Sequence, residues 1–338
     1  MNSKKILTLA LALALSLSVF AGCGNEAPAE SIGSQEASVE ESKASSEAEN
    51  APASEVKMVG DTVIPTQEEA LKEMGLEEVP GKILCTTYNS TILAYTLGID
   101  ICGTVQTRRP VPEELKDVPT IGVVTGSSSF DFEKVIALAG DMVLGDTSVQ
   151  DRLEATLDAQ GIKSYYSDTH DYEHLRKTLA LLGAAFGKTD KAVEILEGWD
   201  KEVAEMQKEI EGKDSPSVLI VRTGSTMATS SSYVGGLLKM LNITNATDSM
   251  DLGDTNLGYV PLDVEKIVKA NPDYILIPGG DKIPGDMEFM EEVKTGEAWS
   301  SLDAVKNDKV IALTDTYYHP LADMECMSAL HELLDTVY

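Results

Sequence analysis

The stretch FDFEKVIALAGDMVL, residues 130–144, is followed 132 residues later by LDVEKIVKANPDYIL, residues 262–276. The two stretches align without a gap, and most positions that differ exchange like for like. The identical pairs are Asp131/Asp263, Glu133/Glu265, Lys134/Lys266, Asp141/Asp273 and Leu144/Leu276. Each stretch has the pattern of a short helix followed by an apolar strand. A repeat this long exceeds solenoid periods, so we expect two similar α/β units; chance likeness between two such units is the alternative.

Strand and helix patterns alternate on both sides of these stretches. This βαβα rhythm predicts parallel sheets covered by helices. The predicted strands are Lys82–Cys85, Ile101–Val105, Thr120–Val124, Met142–Leu144, Lys163–Tyr166, Ser217–Val221, Tyr274–Ile277 and Val310–Leu313. The predicted helices are Ser90–Leu97, Phe132–Leu138, Val149–Gln160, Val234–Leu241, Val264–Ala270, Met287–Lys294 and Asp323–Leu334.

The segment 172–212 lacks proline and keeps helical apolar spacing throughout. Glycines near its middle divide it into two helices, and Thr189 or Asp190 can cap the second. That second helix runs for about 22 residues, or about 33 Å. We therefore predict an α/β fold with two Rossmann-like lobes bridged by one long α-helix, and a ligand cleft between the lobes. The predicted boundaries are 58–185 for the N-terminal lobe, 186–212 for the linking helix and 213–338 for the C-terminal lobe.

Composition excludes several classes of function. The chain has 338 residues, with 27 Lys and Arg against 56 Asp and Glu, so its formal charge is −29. Nucleic-acid binding and adsorption to anionic lipid both need a basic face, so we expect neither. Four cysteines in a chain of this length do not make a disulfide scaffold. Cys85, Cys102 and Cys326 can form one pair at most, and the first two fit buried free thiols best.

The N-terminal segment has the features of an export signal. Two lysines precede an apolar run that is too short to span a membrane comfortably, and residues 1–22 end just before Cys23. Small residues before this cysteine resemble the lipobox of bacterial lipoproteins, which implies acylation of Cys23 with palmitate-type chains outside the cytoplasmic membrane. An ordinary secretory signal is the alternative. Residues 23–57 are rich in Ala, Ser and Glu, and we expect a disordered acidic tether there.

The order of several motifs resembles the substrate-binding lipoproteins of ABC importers for iron complexes and cobalamin, the helical-backbone class. The motifs are Lys82–Ile99, Val118–Gly122, the two repeated units and Asp303–Val310. Within the class, Ser232–Gly235 and Asn307–Lys309 look most similar to Gram-positive haem-binding lipoproteins. The resemblance implies a monomer, anchored at the cell membrane on its extracytoplasmic face, that delivers a chelate to permease and ATPase subunits. It implies no catalysis and no catalytic cofactor.

The candidate ligand-binding loops follow the predicted strands, because ligands of open α/β sheets lie beyond the carboxyl ends of the strands. Arg108 and Arg109 suit the carboxylates of a chelate, with a solvated loop pair as the alternative. Arg222 can project into the cleft or form a strand-end salt bridge. The loops to inspect are Thr86–Asn89 (which includes Tyr88), Gln106–Arg109, Gly126–Ser129, Asp146–Ser148, Thr223–Thr229, Pro278–Lys282 and Thr316–Pro320.

Phenolate and imidazole groups are iron ligands, and Tyr317, Tyr318 and His319 follow one predicted strand. We expect one of them to contact the ligand. The family's haem binders place an axial Met and an axial His in two loops where this chain has Val123–Ser129 and Gly279–Asp281. Met227, Tyr317, Tyr318 or His319 can substitute for these axial ligands. Without such a substitute, the sequence favours a ferric siderophore over haem, with cobalamin third.

Glu133 and Glu265 hold equivalent positions in the repeat, and the family resemblance implies that they dock into the permease. Carboxylates also favour helix N-termini for electrostatic reasons alone, which is the alternative. His170, His174 and His331 fit surface positions, since the i, i+4 pair of His170 and His174 has no further ligand in view. Two other classes stay open: a lipid-anchored hydrolase, which lacks any catalytic motif here, and a structural or adhesion lipoprotein.

Overall fold

The computed structural model describes residues 57–107, 109–123, 130–222, 224–253 and 258–338. The predicted signal segment with Cys23, nearly all of the predicted tether, Arg108 and the loop Gly126–Ser129 lie outside the described residues. Among the described residues we find no helix whose length and apolar character would let it span a bilayer.

In the described part of the chain, the strands form a short hairpin and two larger sheets. They are β1 (Met58–Val59), β2 (Thr62–Val63), β3 (Ile83–Cys85), β4 (Ile101–Gln106), β5 (Thr120–Val123), β6 (Met142–Asp146), β7 (Ser164–Ser167), β8 (Ser217–Arg222), β9 (Thr226–Ala228), β10 (Thr244–Asn245), β11 (Tyr259–Pro261), β12 (Tyr274–Pro278) and β13 (Val310–Leu313).

The helices of the described part cover these sheets. They are α1 (Gln67–Glu73), α2 (Tyr88–Leu97), α3 (Phe132–Leu138), α4 (Gln150–Ala159), α5 (Tyr172–Ala185), α6 (Thr189–Glu209), α7 (Tyr233–Met240), α8 (Val264–Ala270), α9 (Pro284–Thr295), α10 (Asp303–Lys306) and α11 (Cys326–Val337). Short 3₁₀ turns lie at Glu113–Leu115, Ala246–Ser249, Glu297–Trp299 and Asp315–Tyr317.

Each lobe is built on one sheet. The N-terminal sheet has the order β5-β4-β3-β6-β7, with every neighbouring pair parallel. The C-terminal sheet has the order β11-β9-β8-β12-β13, in which β8, β12 and β13 are parallel. One edge of β8 is shared, because its first residues pair with β10 and its last residues pair antiparallel with β9. The two-lobed α/β fold predicted from the repeat is therefore confirmed.

The repeated stretches occupy equivalent places in the two sheets. The side chains of Asp131 and Asp263 cap α3 and α8 by accepting the backbone N–H of the lysine three residues later. The strand that follows lies between two parallel neighbours in each case: β6 between β3 and β7, and β12 between β8 and β13. Leu144 and Leu276 are both fully buried in the same hydrophobic cluster.

The Asp141/Asp273 identity also has a structural cause. The carboxylate of Asp141 accepts backbone N–H groups from Gly81 and Lys82, at 2.9 and 3.0 Å, just before β3. The carboxylate of Asp273 accepts the N–H of Ser217, the first residue of β8, at 2.8 Å. Both aspartates also donate their own N–H to the carbonyl of that neighbouring segment. In each lobe an aspartate therefore joins the starts of two parallel strands.

Alternate residues of the central strands pack into different cores. Ile83 and Cys85 belong to a large cluster shared with α5, α6, α7 and α11, whereas Leu84 belongs to a second cluster on the opposite face. In β8, Val218 and Ile220 join the shared cluster, whereas Leu219 and Val221 join a third cluster in the C-terminal lobe. This period of two is the one expected of strands buried on both faces.

The long helix α6 has 21 residues, from Thr189 to Glu209. It follows α5 and precedes β8, as the apolar spacing predicts. The predicted cap at Thr189 or Asp190 is wrong, because the N-cap is Lys188, whose side chain makes no capping hydrogen bond. The nearly buried Arg176 of α5 holds α6 to the N-terminal hairpin: it donates to Asp200 of α6 at 2.5 and 3.1 Å and to the carbonyl of Val59 at 3.0 Å.

Three further findings bear on the sequence-based expectations. The small elements β1, β2, α1, β9, β10 and β11 were not predicted, although Thr66 and Glu69 form a capping box that marks the start of α1. The last helix begins at Cys326 rather than Asp323, because the carboxylate of Asp323 accepts the N–H of Glu325 ahead of the helix. Cys85, Cys102 and Cys326 are all free, as predicted for the first two, but Cys102 is only partly buried whereas Cys85 is fully buried.

We expect Asp141→Ala and Asp273→Ala each to lower the free energy of unfolding by about 1 kcal/mol, because each change removes a carboxylate that accepts backbone N–H groups. Urea unfolding followed by circular dichroism measures this effect. The exposed Asp117 provides the control, and Asp117→Ala should leave the midpoint unchanged. Equal midpoints for all three variants would contradict the role assigned to the repeated aspartate.

Candidate functional site

Loops from both lobes meet beyond the carboxyl ends of the strands. Tyr88 is the first residue of α2 after β3, and Thr87 caps that helix in a capping box with Ser90. Arg109 lies in the loop that follows β4, and Arg222 is the last residue of β8. His319 follows β13 and the 3₁₀ turn that comes after it. The carboxyl ends of strands in both lobes thus supply the predicted site residues, as the rule for open α/β sheets requires.

Arg109 spans the two lobes. Its Nη2 donates to the carboxylate of Asp323 at 2.9 Å and to the carbonyl of Thr316 at 3.0 Å. Its guanidinium carbon also lies 3.7 Å from the centre of the Tyr88 ring, within its own lobe. Nε of Arg109 is buried and has no hydrogen-bond partner among the described residues. One strong donor at the lobe junction is therefore left for an acceptor that the described residues do not supply.

The acidic partner of Arg109 is deeply buried. The Asp323 side chain is 2% exposed and that of Arg109 is 13% exposed. Burial raises the pKa of Asp323, although Arg109 and the N–H of Glu325 both act to lower it. Burial likewise raises the pKa of Tyr88, against the opposing effect of Arg109. The hydroxyl of Tyr88 donates to the carbonyl of Pro110 at 3.2 Å, which fixes the ring against the loop of Arg109.

His319 is neutral in this environment. Burial lowers its pKa to about 4, and the positive charges of Arg109 and Arg222 act in the same direction. The guanidinium carbon of Arg222 lies 5.8 Å from the centre of the Tyr259 ring. Burial raises the pKa of Tyr259, and Arg222 opposes that rise. Two guanidiniums from different lobes and one uncharged imidazole therefore share one region at the lobe junction.

Two predicted ligand residues do not reach the cleft surface. Met227 on β9 is fully buried in the hydrophobic cluster of the C-terminal lobe. Tyr318 is also fully buried, and its hydroxyl donates to the carbonyl of Ala329 on α11 at 3.1 Å. Both residues were predicted as ligand residues because they lie in or beside a candidate loop, but their side chains pack into apolar surroundings. Tyr317 is half-buried and packs against the same cluster as Tyr318.

Sequence reasoning missed three parts of this region. The sequence predicts a helix that begins at Asp323, whereas this residue precedes α11, and Tyr259 lies on the unpredicted strand β11. A second contact between the lobes joins the N–H of Ala322 to the carbonyl of Thr169, at 2.6 Å. Asp323 lies in the mostly apolar segment 321–330. This position was the available sign that its carboxylate is buried and therefore needs a partner.

The predicted docking residues take part in none of the contacts described above. Glu133 and Glu265 are both exposed, each as the second residue of its helix, α3 or α8. A separate cavity of about 400 Å³ lies in the C-terminal lobe beside α7 and β10, with Lys239 and Asp248 in its wall.

We expect Asp323→Ala to lower the free energy of unfolding by about 3 kcal/mol, since it leaves the nearly buried Arg109 without its counter-charge. The double variant Arg109→Ala/Asp323→Ala should recover part of that loss, because no lone charge remains. Chemical denaturation of the variants measures both effects. Glu194→Ala, which breaks the exposed Lys191–Glu194 pair, is the control and should change nothing measurable. An Asp323→Ala variant as stable as that control would contradict the structural role of the Arg109–Asp323 pair.

Comparison with known proteins agrees with this architecture. The family model described as periplasmic binding protein matches residues 83–317. The high-affinity heme uptake system protein IsdE of Staphylococcus aureus is 27% identical over 262 residues, which cover 76% of this chain and 87% of IsdE. The crystal structure of IsdE complexed with heme superposes with a TM-score of 0.65 and 25% identity, covering 76% of this chain and 100% of that one. An ABC transporter substrate-binding protein from Listeria monocytogenes EGD-e gives a TM-score of 0.67 and 25% identity over 77% of this chain and 99% of that one. The chain belongs to the periplasmic binding protein family.

Proposed function

We propose that this protein captures an iron complex outside the cytoplasmic membrane for an ABC importer, and that the complex is haem. The observation that carries the choice of ligand is the neutral His319 beside Arg109 and Arg222, which come from different lobes. The protein acts by binding and release, as a carrier rather than an enzyme.

The chemistry of haem matches these groups. Its iron accepts an axial imidazole nitrogen, and only an uncharged imidazole has the lone pair for that bond. Its two propionates are carboxylates, which guanidiniums bind through charge-assisted hydrogen bonds. The buried Nε of Arg109 offers one donor for that purpose. The rings of Tyr88 and Tyr259 lie beside the two arginines and provide flat apolar surface for a porphyrin.

The choice of haem over a siderophore reverses the order that the sequence alone favours. A hexadentate ferric siderophore fills the coordination of its iron with its own donors, so a neutral imidazole gains nothing there. Of the four substitutes proposed for the absent axial ligands, Met227 and Tyr318 are buried in apolar cores, whereas His319 lies near both arginines. The relation to IsdE, whose name is that of a heme uptake protein, supports the same choice. Nothing found here favours cobalamin over these iron complexes.

We also propose the two attachments that the family resemblance implies. Cys23 carries the lipid that holds the chain at the membrane, with residues 23–57 as the tether. Glu133 and Glu265 contact the permease, one from each lobe, since both are exposed at equivalent positions of the repeat. On this proposal the mature chain is a monomer with the boundaries 58–185, 186–212 and 213–338 for its lobes and linking helix.

Titration of the purified protein with haem tests the ligand, with ferric siderophores and cobalamin run in parallel. We expect tight binding of haem with a shifted Soret band. Arg109→Ala and Arg222→Ala should each weaken binding about 10-fold or more, the cost of a lost charge-assisted bond. His319→Ala should weaken binding and change the Soret position. Met227→Leu and His331→Ala are the controls and should leave both unchanged.

Two outcomes of that titration would contradict the proposal. Tight binding of a siderophore without binding of haem would remove haem as the ligand. An unchanged Soret band in His319→Ala would remove His319 as the axial ligand, even if haem binds.

The pH dependence of haem binding provides a second prediction. Because the pKa of His319 is lowered to about 4, protons compete with iron for its nitrogen only near that pH. We therefore expect the affinity to stay constant from pH 8 to about pH 5 and to fall below it. An exposed histidine would lose affinity already below its usual pKa of about 6.5. A tenfold loss between pH 7 and pH 5.5 would contradict a His319 whose pKa is lowered to about 4.

Uptake by whole cells tests docking to the permease. The double variant Glu133→Lys/Glu265→Lys should abolish uptake of haem while its affinity for haem stays unchanged. Normal transport by this variant would exclude docking through these residues.

Mass spectrometry of the mature protein tests the lipid anchor. We expect the chain to begin at an acylated Cys23, and an unmodified Cys23 would exclude the anchor.

A further inference from the structure

A cluster of histidines and aspartates lies outside the cleft groups described above. It occupies the loop between β7 and α5 and the first turn of α5. Asp168, His170 and His174 each place one potential ligand atom so that all three atoms lie within 4.8 Å of one another. The imidazole rings of His170 and His174 are 3.8 Å apart between centres. Their side chains are 37% and 36% exposed, so an ion from solvent can reach them.

A fourth residue, Asp171, contacts both imidazoles. One oxygen of Asp171 lies 2.8 Å from Nδ1 of His174, and the other lies 3.3 Å from Nε2 of His170. The remaining nitrogen of His170, Nδ1, lies 2.7 Å from an oxygen of Asp168. Histidines that bind metals commonly donate their second ring N–H to a carboxylate, which sets the tautomer. Asp171 is placed to accept such a bond from each ring.

Three hydrogen bonds hold the backbone of this loop in place, and two of them involve no side chain of the cluster. The hydroxyl of Thr178 donates to the carbonyl of Asp168 at 3.2 Å. The carboxylate of Asp171 caps α5 by accepting the N–H of His174 at 2.8 Å. Between them, the carbonyl of Thr169 accepts the N–H of Ala322 from the other lobe at 2.6 Å. The side chains of the cluster therefore project from a fixed backbone, which favours a preformed site.

We propose that Asp168, His170 and His174 bind a first-row divalent cation of the Zn²⁺ type, with Asp171 as the outer carboxylate. Two imidazoles and a carboxylate suit Zn²⁺ better than Mg²⁺ or Ca²⁺, which prefer oxygen ligands alone. Bonds of about 2.0–2.2 Å bring the ligand atoms to about 3.3–3.6 Å from one another. Small side-chain rotations from the present spread of 4.8 Å produce that arrangement.

The sequence alone indicated surface histidines, because the i, i+4 pair of His170 and His174 had no further ligand in view. The structure supplies Asp168 and Asp171 from the turn just before α5. A bound cation stiffens the loop whose Thr169 carbonyl receives Ala322 of the C-terminal lobe. The alternative is a network of hydrogen bonds and ion pairs with no metal, and the experiment distinguishes the two.

The test is calorimetric titration of untagged, chelator-treated protein with Zn²⁺, in the absence of haem. We expect one equivalent to bind with micromolar or tighter affinity and to raise the melting temperature. His170→Ala, His174→Ala and Asp168→Asn should each weaken binding at least 10-fold. Asp171→Asn keeps a good N-cap residue, so α5 stays capped, but we expect it to weaken binding about 10–100-fold through the lost outer carboxylate.

The matched control is His331→Ala, which removes another surface histidine paired with a carboxylate, Glu202. It should bind Zn²⁺ like the parent protein. Equal affinities of the parent and the double variant His170→Ala/His174→Ala would overturn the proposal, as would no binding at 100 µM Zn²⁺. Circular dichroism confirms that each variant is folded. His319 is intact in all of these proteins, so their haem binding is measured independently of Zn²⁺ binding. Failure of the Zn²⁺ proposal therefore does not contradict the haem proposal, and failure of the haem proposal does not contradict the Zn²⁺ proposal.

Discussion

The buried pair of Arg109 and Asp323 is the interaction on which the arrangement of the cleft depends. It joins a loop of one sheet to the segment that precedes α11 beside the other sheet, with a contact of 2.9 Å. The chain as a whole carries a formal charge of −29, yet the lobe junction concentrates guanidiniums. Burial keeps His319 neutral, the positive charges of Arg109 and Arg222 act in the same direction, and the two guanidiniums make the region suited to an anionic ligand.

The two lobes reach this junction by the same construction. In each sheet an aspartate from the repeat fixes the start of a central strand to its neighbour, so the register of the strands is set at the end remote from the cleft. Their opposite ends then present loops toward the junction, with Arg109 after β4 and Arg222 at the end of β8. Arg176 and α6 hold the connection between the lobes, since four hydrogen bonds tie that arginine to the helix and the N-terminal hairpin.

The parts predicted from sequence are those with a strong local pattern. The repeat showed both lobes because three of its five identical pairs have structural roles: Asp131 and Asp263 cap helices, Asp141 and Asp273 join the starts of two strands, and Leu144 and Leu276 lie in the core. Strands of two or three residues, such as β9 and β10, carry too few positions for a period of two to be visible. Site residues were predicted as groups of neighbours in a loop, and the loop position could not separate His319 from Tyr318. That distinction depends on which side chain packs under α11, a contact between distant segments. Asp323 was likewise not predicted as a site residue, because its partner Arg109 is more than two hundred residues away in the chain.

The central claim is that His319 binds the iron of haem directly. Resonance Raman spectroscopy of the ferrous haem-loaded protein, prepared with and without ¹⁵N-labelled histidine, measures this bond most directly. The account predicts an iron–imidazole stretching band that shifts on labelling and disappears in His319→Ala. A band pattern insensitive to the label, or one retained without His319, would contradict it.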